Sequence, residues 1–184
     1  MPHPLFALLF VCALFGCIAR DAPPPSDTLP AMPCEGRWRP APPPPVAPRR
    51  FASVTSTPAG VVLFGGVGVR GAVGDGARWD GARWVALPRT GAPEPRYGHV
   101  AAWVEDVFCV WGGTDGSDVR EDGACWSPIT DVWTPMATEG APSPRREAGA
   151  CAADGALWVF GGADGEDNAL GDGARWSAAD GRWS

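Results

Sequence analysis

The sequence contains no lysine, a single tyrosine and two histidines, and all 15 of its basic residues are arginine. Without lysine, the chain has no side chain for Schiff-base catalysis. The formal net charge is −6, and the arginines form no basic cluster. Because clustered cations supply most of the affinity for nucleic acid phosphates, we expect no nucleic acid partner.

Long apolar runs are also missing, apart from one over residues 5–15. This run is shorter than the roughly 20 residues that span a bilayer, and it suits the apolar region of a secretory signal. It is followed by Gly16-Cys17, and the ending resembles a bacterial lipobox, whose cysteine carries lipid and becomes the first mature residue. We predict a signal peptide over residues 1–16 and lipidation of Cys17. The protein would then contact a membrane through this lipid, at the outer membrane or cell surface of the bacterial envelope. A signal cleaved after Ala19, giving a secreted or periplasmic protein, is the alternative.

The segment that follows is rich in proline, with the runs PPP and PPPP between residues 22 and 48. Such a composition favours extended polyproline II structure and a semi-rigid spacer. We predict a stalk over residues 17–47 that lifts a domain off the membrane. A ligand for proline-binding domains is the alternative.

Four cysteines lie beyond the predicted signal and lipid site, namely Cys34, Cys109, Cys125 and Cys151. A secreted protein meets conditions that permit disulfides, and four cysteines allow three pairings. The sequence does not choose among them. The apolar runs around Cys109 and Cys151 favour buried, small apolar side chains at these two positions.

Glycine and proline are abundant, with 25 and 21 residues, and there are 10 tryptophans. This composition predicts many short strands joined by turns, and therefore an all-β fold. From residue 48 onward, four landmarks recur in one order with a period of about 50 residues, a period typical of repeat architectures. They are Pro-Arg, an aromatic residue followed by Gly-Gly, the motif DGA(R/C)W, and a lone tryptophan. The recurring residues include Arg49, Arg96 and Arg145; Gly65, Gly66, Gly112, Gly113, Gly161 and Gly162; and Trp84, Trp133 and Trp183.

Each repeat divides into four strand-like runs. The first follows Pro-Arg, the second leads into Gly-Gly, the third contains DGA(R/C)W, and the fourth carries the lone tryptophan. Asp154-Gly155 separates runs one and two, and Asp80-Gly81 and Asp180-Gly181 separate runs three and four. Asp-Gly between such runs predicts a tight hairpin turn with positive φ at both residues.

The segment Arg96-Tyr97-Gly98-His99, with the later Gly112-Gly113 and Trp133, resembles a kelch repeat. The resemblance implies a β-propeller of three four-stranded blades, at residues 48–94, 95–143 and 144–184. It also implies structural roles for Arg96, His99, the glycine pairs and the lone tryptophans. The first and third repeats depart from the pattern, with Phe51-Ala52 and Glu147-Ala148 in place of Gly-His.

Three blades make an incomplete ring, because propellers close with about four to eight. We expect the chain to be a fragment of a longer propeller. Trp38 lies in phase with the lone tryptophans, which predicts a stray outer strand near it, belonging to a blade whose other strands are absent. Two alternatives are that two chains self-associate through the open edges into a six-bladed ring, and that Trp38 is an unstructured stalk residue.

Catalysis has little support in the residues present. Beyond the predicted signal, His99 and Tyr97 are the only histidine and tyrosine. The resemblance to kelch proteins includes enzymes, such as oxidases similar to galactose oxidase and sialic-acid mutarotase, but the oxidase type needs several histidine and tyrosine ligands. We expect no cofactor, no metal and no catalytic residue. A fragment of such a carbohydrate-active enzyme, with its active site on missing blades, is the alternative function.

Two acidic loops between strands two and three are the remaining candidates. They contain Asp115, Asp118 and Glu121, and Asp164, Glu166 and Asp167. Their spacing does not fit an EF-hand, and solvated turns are the plain alternative. Since antiparallel strands run up and down, these loops and the proline-rich loops between repeats should emerge on one face. We predict that this face of a non-enzymatic scaffold binds a protein or glycan, and that alanine at positions 164, 166 and 167 weakens binding without changing the melting temperature.

Overall fold

The computed structural model describes residue 40 and residues 42–184. The predicted signal peptide, Cys17, Cys34 and the strand near Trp38 lie outside these residues. Within the described part, no helix is long and apolar enough to cross a membrane.

The described residues form three four-stranded antiparallel sheets, which we call blades one, two and three. Blade one contains β1 (Ser53–Thr57), β2 (Gly60–Phe64), β5 (Gly76–Trp79) and β6 (Trp84–Ala86), and the short hairpin β3 (Val67–Gly68) and β4 (Gly71–Ala72) is inserted between β2 and β5. Blade two contains β7 (Val100–Val104), β8 (Val107–Trp111), β9 (Gly123–Ser127) and β10 (Val132–Pro135). Blade three contains β11 (Gly149–Ala153), β12 (Ala156–Phe160), β13 (Gly173–Ser177) and β14 (Arg182–Trp183). The predicted all-β, four-strand repeat is confirmed, and the three sheets of residues 42–184 do not close a ring.

The hydrophobic core lies between blades, because side chains alternate along each strand. On β8, Phe108 and Val110 belong to a cluster shared with blade one, whereas Cys109 and Trp111 belong to a cluster shared with blade three. Blade two therefore buries both of its faces. Blades one and three each bury one face against it.

The second glycine of each Gly-Gly pair permits close packing of the chain at the end of the second strand. Gly66 has φ of 104°, in the region that favours glycine, and a Cβ there would lie 2.8 Å from the carbonyl oxygen of Arg50. The glycine pair is therefore a steric requirement of the blade, as a glycine is where two backbones approach closely.

The lone tryptophans connect each blade to the segment before it. Trp133 Nε1 donates to the carbonyl oxygen of Pro88 at 2.9 Å, and Trp183 Nε1 donates to that of Ala137 at 2.8 Å. Trp84 Nε1 makes the same bond, at 2.8 Å, to the carbonyl oxygen of Pro42. The end of the predicted stalk therefore contacts blade one in the same way that the link after blade one contacts blade two.

The turns between strands differ in part from the expectation. Asp154 and Gly155 both have positive φ, 50° and 67°, as predicted. At Asp80-Gly81 and Asp180-Gly181 only the glycines have positive φ, so this part of the prediction was wrong. The turn after β13 is four residues long, and the N–H of Gly181 donates to the carbonyl oxygen of Ser177 at 2.9 Å. The longer turn needs one left-handed residue where a two-residue turn needs two.

The predicted burial of Cys109 is confirmed, and the structure shows the pairing that the sequence left open. Cys109 and Cys125 form a disulfide between β8 and β9. The two residues lie directly opposite each other in the antiparallel register, which brings their side chains together. Cys151 lies partly buried on β11.

Candidate functional site

A buried arginine anchors the loops at one end of each blade. In blade two, the Arg96 side chain has no exposed surface. Its Nη1 donates to the carbonyl oxygens of Gly112 and Asp122, at 3.1 and 3.0 Å, and its Nη2 donates to Asp122 Oδ2 at 2.8 Å. Arg96 thus joins the loop between blades to both ends of the loop between β8 and β9.

The same arrangement occurs in the other two blades. Arg49 Nη1 lies 2.7 Å from Asp75 Oδ1, and Arg145 Nη2 lies 2.9 Å from Asp172 Oδ1. Each aspartate opens the repeated DGA(R/C)W motif. The motif therefore supplies an ion-pair partner as well as a third strand, and sequence reasoning missed this role. The signal was present in the nearly constant separation of the arginine and the aspartate, 26, 26 and 27 residues.

In blades one and two, the arginine also lowers the pKa of its aspartate, Asp75 or Asp122. For Asp75, the hydrogen bond from Arg49 is the main cause of a lowered pKa. Burial raises the pKa of Asp122, but the hydrogen bond and the charge of Arg96 outweigh burial and lower it. Fork-shaped guanidinium bonds to a carboxylate combine charge with fixed geometry. The loop ends are therefore rigidly placed.

We call the end of the blades that carries these anchors the loop face. The link ending at Arg96 and the β8–β9 loop meet there, so the up-and-down strand order places both kinds of loop at one end. In the β8–β9 loop, Asp115 Oδ1 accepts the N–H groups of Ser117 and Asp118 at 2.8 and 2.9 Å. The N–H of Asp118 is the first of the causes that lower the pKa of Asp115 to about 2. Asp115 is therefore engaged in building its own loop.

The acidic loop of blade three is built in the same way. Asp164 Oδ1 accepts the N–H groups of Glu166 and Asn168, both at 2.9 Å. Asp167 pairs with Arg146. Of the six predicted acidic residues, Asp115, Asp164 and Asp167 are thus engaged by other groups of the protein, although the Asp167 side chain is itself exposed. The other three, Asp118, Glu121 and Glu166, are also exposed.

An aromatic and arginine cluster lies beside these loops, at the position where the resemblance expects glycine. Gly98 has φ of 61°, and the equivalent residues Phe51 and Glu147 have φ of 57° and 59°. Non-glycine residues rarely adopt this left-handed region, and each costs about 1 kcal/mol or more. Phe51 nevertheless exposes 63% of its surface, stacks on Tyr97 with ring centres 6.2 Å apart, and lies 5.4 Å from the Arg50 guanidinium carbon. We call Arg50, Phe51 and Tyr97 the aromatic shelf.

His99 lies at the contact between blades one and two. Its Nε2 lies 2.9 Å from Ser53 Oγ, and its Nδ1 is buried and has no hydrogen-bond partner among residues 42–184. A nucleophilic serine needs a histidine that is itself oriented by a third group, and no carboxylate of the described residues hydrogen-bonds to Nδ1. The ring packs edge-on against Phe64 at 5.8 Å, across the contact between blades one and two. Burial first, and then the charge of Arg96, lower the pKa of His99 to about 4.

Two open clefts lie away from the loop face. One, of about 590 Å³, is lined in part by the hairpin residues Glu105, Asp106, Asp154 and Gly155, and another, of about 510 Å³, lies beside β14. Among residues 42–184, no group of three or more histidine, cysteine, aspartate or glutamate side chains is arranged to hold a metal ion.

The comparisons with known proteins agree with this geometry. A comparison with curated proteins found no match. A family model described as the KLHDC2/KLHL20/DRC7 kelch-repeats domain matches residues 43–184. The match covers all three blades together with their buried arginines, glycine pairs and outer-strand tryptophans, and the chain belongs to the kelch-repeat family of β-propeller proteins.

Proposed function

We propose that this kelch-repeat binding scaffold engages a glycan through its loop face, at the bacterial cell envelope and without catalysing a reaction. A protein ligand is the alternative. The observation that carries the proposal is the aromatic shelf. Phe51 keeps a strained backbone and an exposed ring, although the equivalent Gly98 shows that the fold accepts glycine at this position. Strain that packing does not require is typical of ligand sites.

The chemistry of the shelf suits a sugar. The exposed ring of Phe51, stacked on the partly buried Tyr97, offers a flat apolar surface, and Arg50 beside it offers guanidinium donors. On the loop between β8 and β9, the exposed carboxylates of Asp118 and Glu121 add acceptors for the hydroxyl groups of a sugar. Because the arginine anchors fix the loops, little ordering cost remains for binding.

The first test is the substitution Phe51→Gly. It removes the ring and relieves the left-handed strain, so we expect a free energy of unfolding equal to or higher than that of the unmodified chain. We also expect binding to purified peptidoglycan, measured by co-sedimentation, to weaken at least about tenfold, the effect of losing roughly 1.4 kcal/mol of contact. The control is Val69→Ala, because Val69 is fully exposed on the blade-one loop.

A second set of variants separates the ligand role of the carboxylates from their structural role. Asp118→Asn and Glu121→Gln change exposed groups, and they should weaken binding while the melting temperature stays constant. Asp164→Ala removes a carboxylate that holds its own loop, so we expect it to alter the loop. The sequence predicted an unchanged melting temperature for alanine at position 164. Because Asp164 holds its own loop, this substitution is a weaker test of binding than Asp118→Asn and Glu121→Gln. Peptidoglycan binding that is absent, or equal in all variants, would contradict the glycan proposal.

The proposed location at the cell envelope depends on residues 5–17, which lie outside the described residues. We expect the unmodified chain, expressed in a bacterium, to partition into the detergent phase because of a lipid on Cys17. Cys17→Ser should move it to the aqueous phase, since an acyl chain contributes about 0.8 kcal/mol per buried CH₂. A chain that stays in the aqueous phase without the substitution would favour the secreted or periplasmic alternative.

A further inference from the structure

The face of blade three that lies away from blade two, which we call its open face, exposes side chains whose equivalents in the other blades are buried. Phe160 precedes the third Gly-Gly pair and exposes 61% of its surface. Its equivalents Phe64 and Trp111 expose 1% each. Two residues earlier on the same face, Trp158 exposes 43%, whereas its equivalent Cys109 is fully buried. This face of blade three therefore has the chemistry of a contact between blades.

In blades one and two, a tryptophan of the next blade covers the aromatic residue before Gly-Gly. The ring of Phe64 is covered by Trp133 of blade two, with centres 5.3 Å apart. The ring of Trp111 is covered by Trp183 of blade three, at 5.2 Å. In both contacts the outer-strand tryptophan of the next blade packs on the aromatic residue before Gly-Gly. The position of Phe160 is thus built to receive such an indole.

The chain carries a matching indole at its other end. Trp84 is the outer-strand tryptophan of blade one, and its Nε1 bonds to Pro42 as Trp133 and Trp183 bond to their links. Trp84 stays partly exposed, because among the described residues no blade precedes blade one. The leading face of blade one, formed by Trp84 and Trp79 on β6 and β5, is therefore the counterpart of the open face of blade three.

A contact between an arginine and a tryptophan shows a second match between the two open faces. The guanidinium carbon of Arg78 in blade one lies 6.0 Å from the ring of Trp126 in blade two. The equivalent of Arg78 in blade three is Arg175, and the equivalent of Trp126 in blade one is Trp79. Arg175 lies on the same open face, 5.8 Å from Trp158. The two open faces therefore offer the same aromatic and cation pairs that already join blades one and two.

We propose that two copies of this chain join head to tail, so that Trp84 of each copy packs on Phe160 of the other and Arg175 of each packs on Trp79 of the other. Head-to-tail contacts generate a closed ring when the rotation between subunits allows it. Two copies supply six blades, within the range of about four to eight that closes a propeller. The second copy also covers both open faces, which are apolar patches among the described residues.

Analytical ultracentrifugation of the full chain tests the proposal. We expect the unmodified chain to be a dimer and Phe160→Asp to weaken dimerisation at least about 100-fold, because the charge enters both contacts of the ring. The matched control is Ile129→Asp, which places the same charge at a residue that is 83% exposed on the outer turn of blade two. Both variants keep residues 5–15, so association through that apolar run affects them equally. A monomeric unmodified chain, or equal mass for the two variants, would overturn the proposal.

Mixing two variants tests the head-to-tail arrangement. Phe160→Asp and Trp84→Ala copies should each be monomeric alone. Their mixture keeps one intact contact, between Phe160 of one copy and Trp84 of the other, so we expect it to form dimers. Far-ultraviolet circular dichroism and melting of each variant confirm that it is folded. A mixture that stays monomeric, while the unmodified chain dimerises, would overturn the proposed contact.

Photo-crosslinking identifies what covers the face. With benzoylphenylalanine at position 160, we expect a crosslink to a peptide containing residues 79–84 of a second copy, located by mass spectrometry. Isotope labelling of one copy shows that the link joins two chains. A crosslink to residues 1–47 of the same chain would overturn the proposal, because the occupant would then be the N-terminal segment.

Discussion

Replacing Arg96 by methionine should lower the free energy of unfolding by about 3 kcal/mol. Methionine fills part of the space of the arginine stem but donates no hydrogen bond. The carbonyl oxygens of Glu94, Gly112 and Asp122 then lose the donor they share. The Asp122 carboxylate is half exposed, so water replaces part of its lost ion pair. The Asp122 carbonyl keeps the N–H of Gly112 as a donor and Glu94 is exposed, so the buried Gly112 carbonyl loses most by the substitution.

Two further variants separate this effect from a general loss of charge. Arg89 lies 3.5 Å from Asp75, but its side chain is 80% exposed, so Arg89→Met should cost less than about 1 kcal/mol. Arg96→Lys keeps the charge without the planar fork and should recover only part of the loss. Urea denaturation monitored by tryptophan fluorescence measures all three variants. Equal midpoints for Arg96→Met and Arg89→Met would show that the buried anchor contributes no special stability.

The stability of the protein should fall as the pH is lowered from about 6.5 to about 4, by up to about 3 kcal/mol. His99 has a pKa of about 4 in the folded protein and 6.5 as its ordinary value. Above pH 6.5 the His99 ring is neutral in both the folded and the unfolded state, so its protonation does not lower the free energy of unfolding. Between these values the unfolded chain binds a proton that the folded protein does not, which favours unfolding. Below pH 4 both states are protonated and the His99 contribution is constant.

The substitution His99→Gln isolates this effect. Glutamine does not titrate and can still hydrogen-bond Ser53, so we expect a lower but nearly flat stability across the same pH range. The lowered pKa values of Asp75, Asp115 and Asp122 place the losses of stability from these three carboxylates below about pH 4. Thermal melts at half-unit pH steps provide the measurement. Parallel pH profiles for the two proteins would contradict the assignment to His99.

The repeat made most of the fold predictable. Landmarks in constant order defined four strands per blade, and DGA(R/C)W became β5, β9 and β13 as expected. This reasoning compares repeats with one another, so it needs no knowledge of long-range contacts.

The features that sequence reasoning missed join positions far apart in the chain. The pairing of Arg96 with Asp122 needs the register of a whole blade. The disulfide follows from a register in which Cys109 faces Cys125, where the other blades pair Val62 with Arg78 and Trp158 with Arg175. The strain at Phe51 is a backbone property, and composition carries no sign of it beyond the missing glycine. The exposed acidic residues were recognised, but their division into loop-building and exposed groups depends on individual hydrogen bonds.

The indole bonds of the outer strands have a consequence for how the protein is made. Each indole nitrogen reaches backward along the chain, to a carbonyl 42, 45 or 46 residues earlier. A ribosome releases the acceptor before it releases the donor, so every new blade emerges beside a finished docking partner. Domains of this kind, in which each unit contacts only its neighbours, can add units one at a time. The direction of these bonds thus matches assembly from the N-terminus, because each blade can pack as soon as its last tryptophan follows its acceptor.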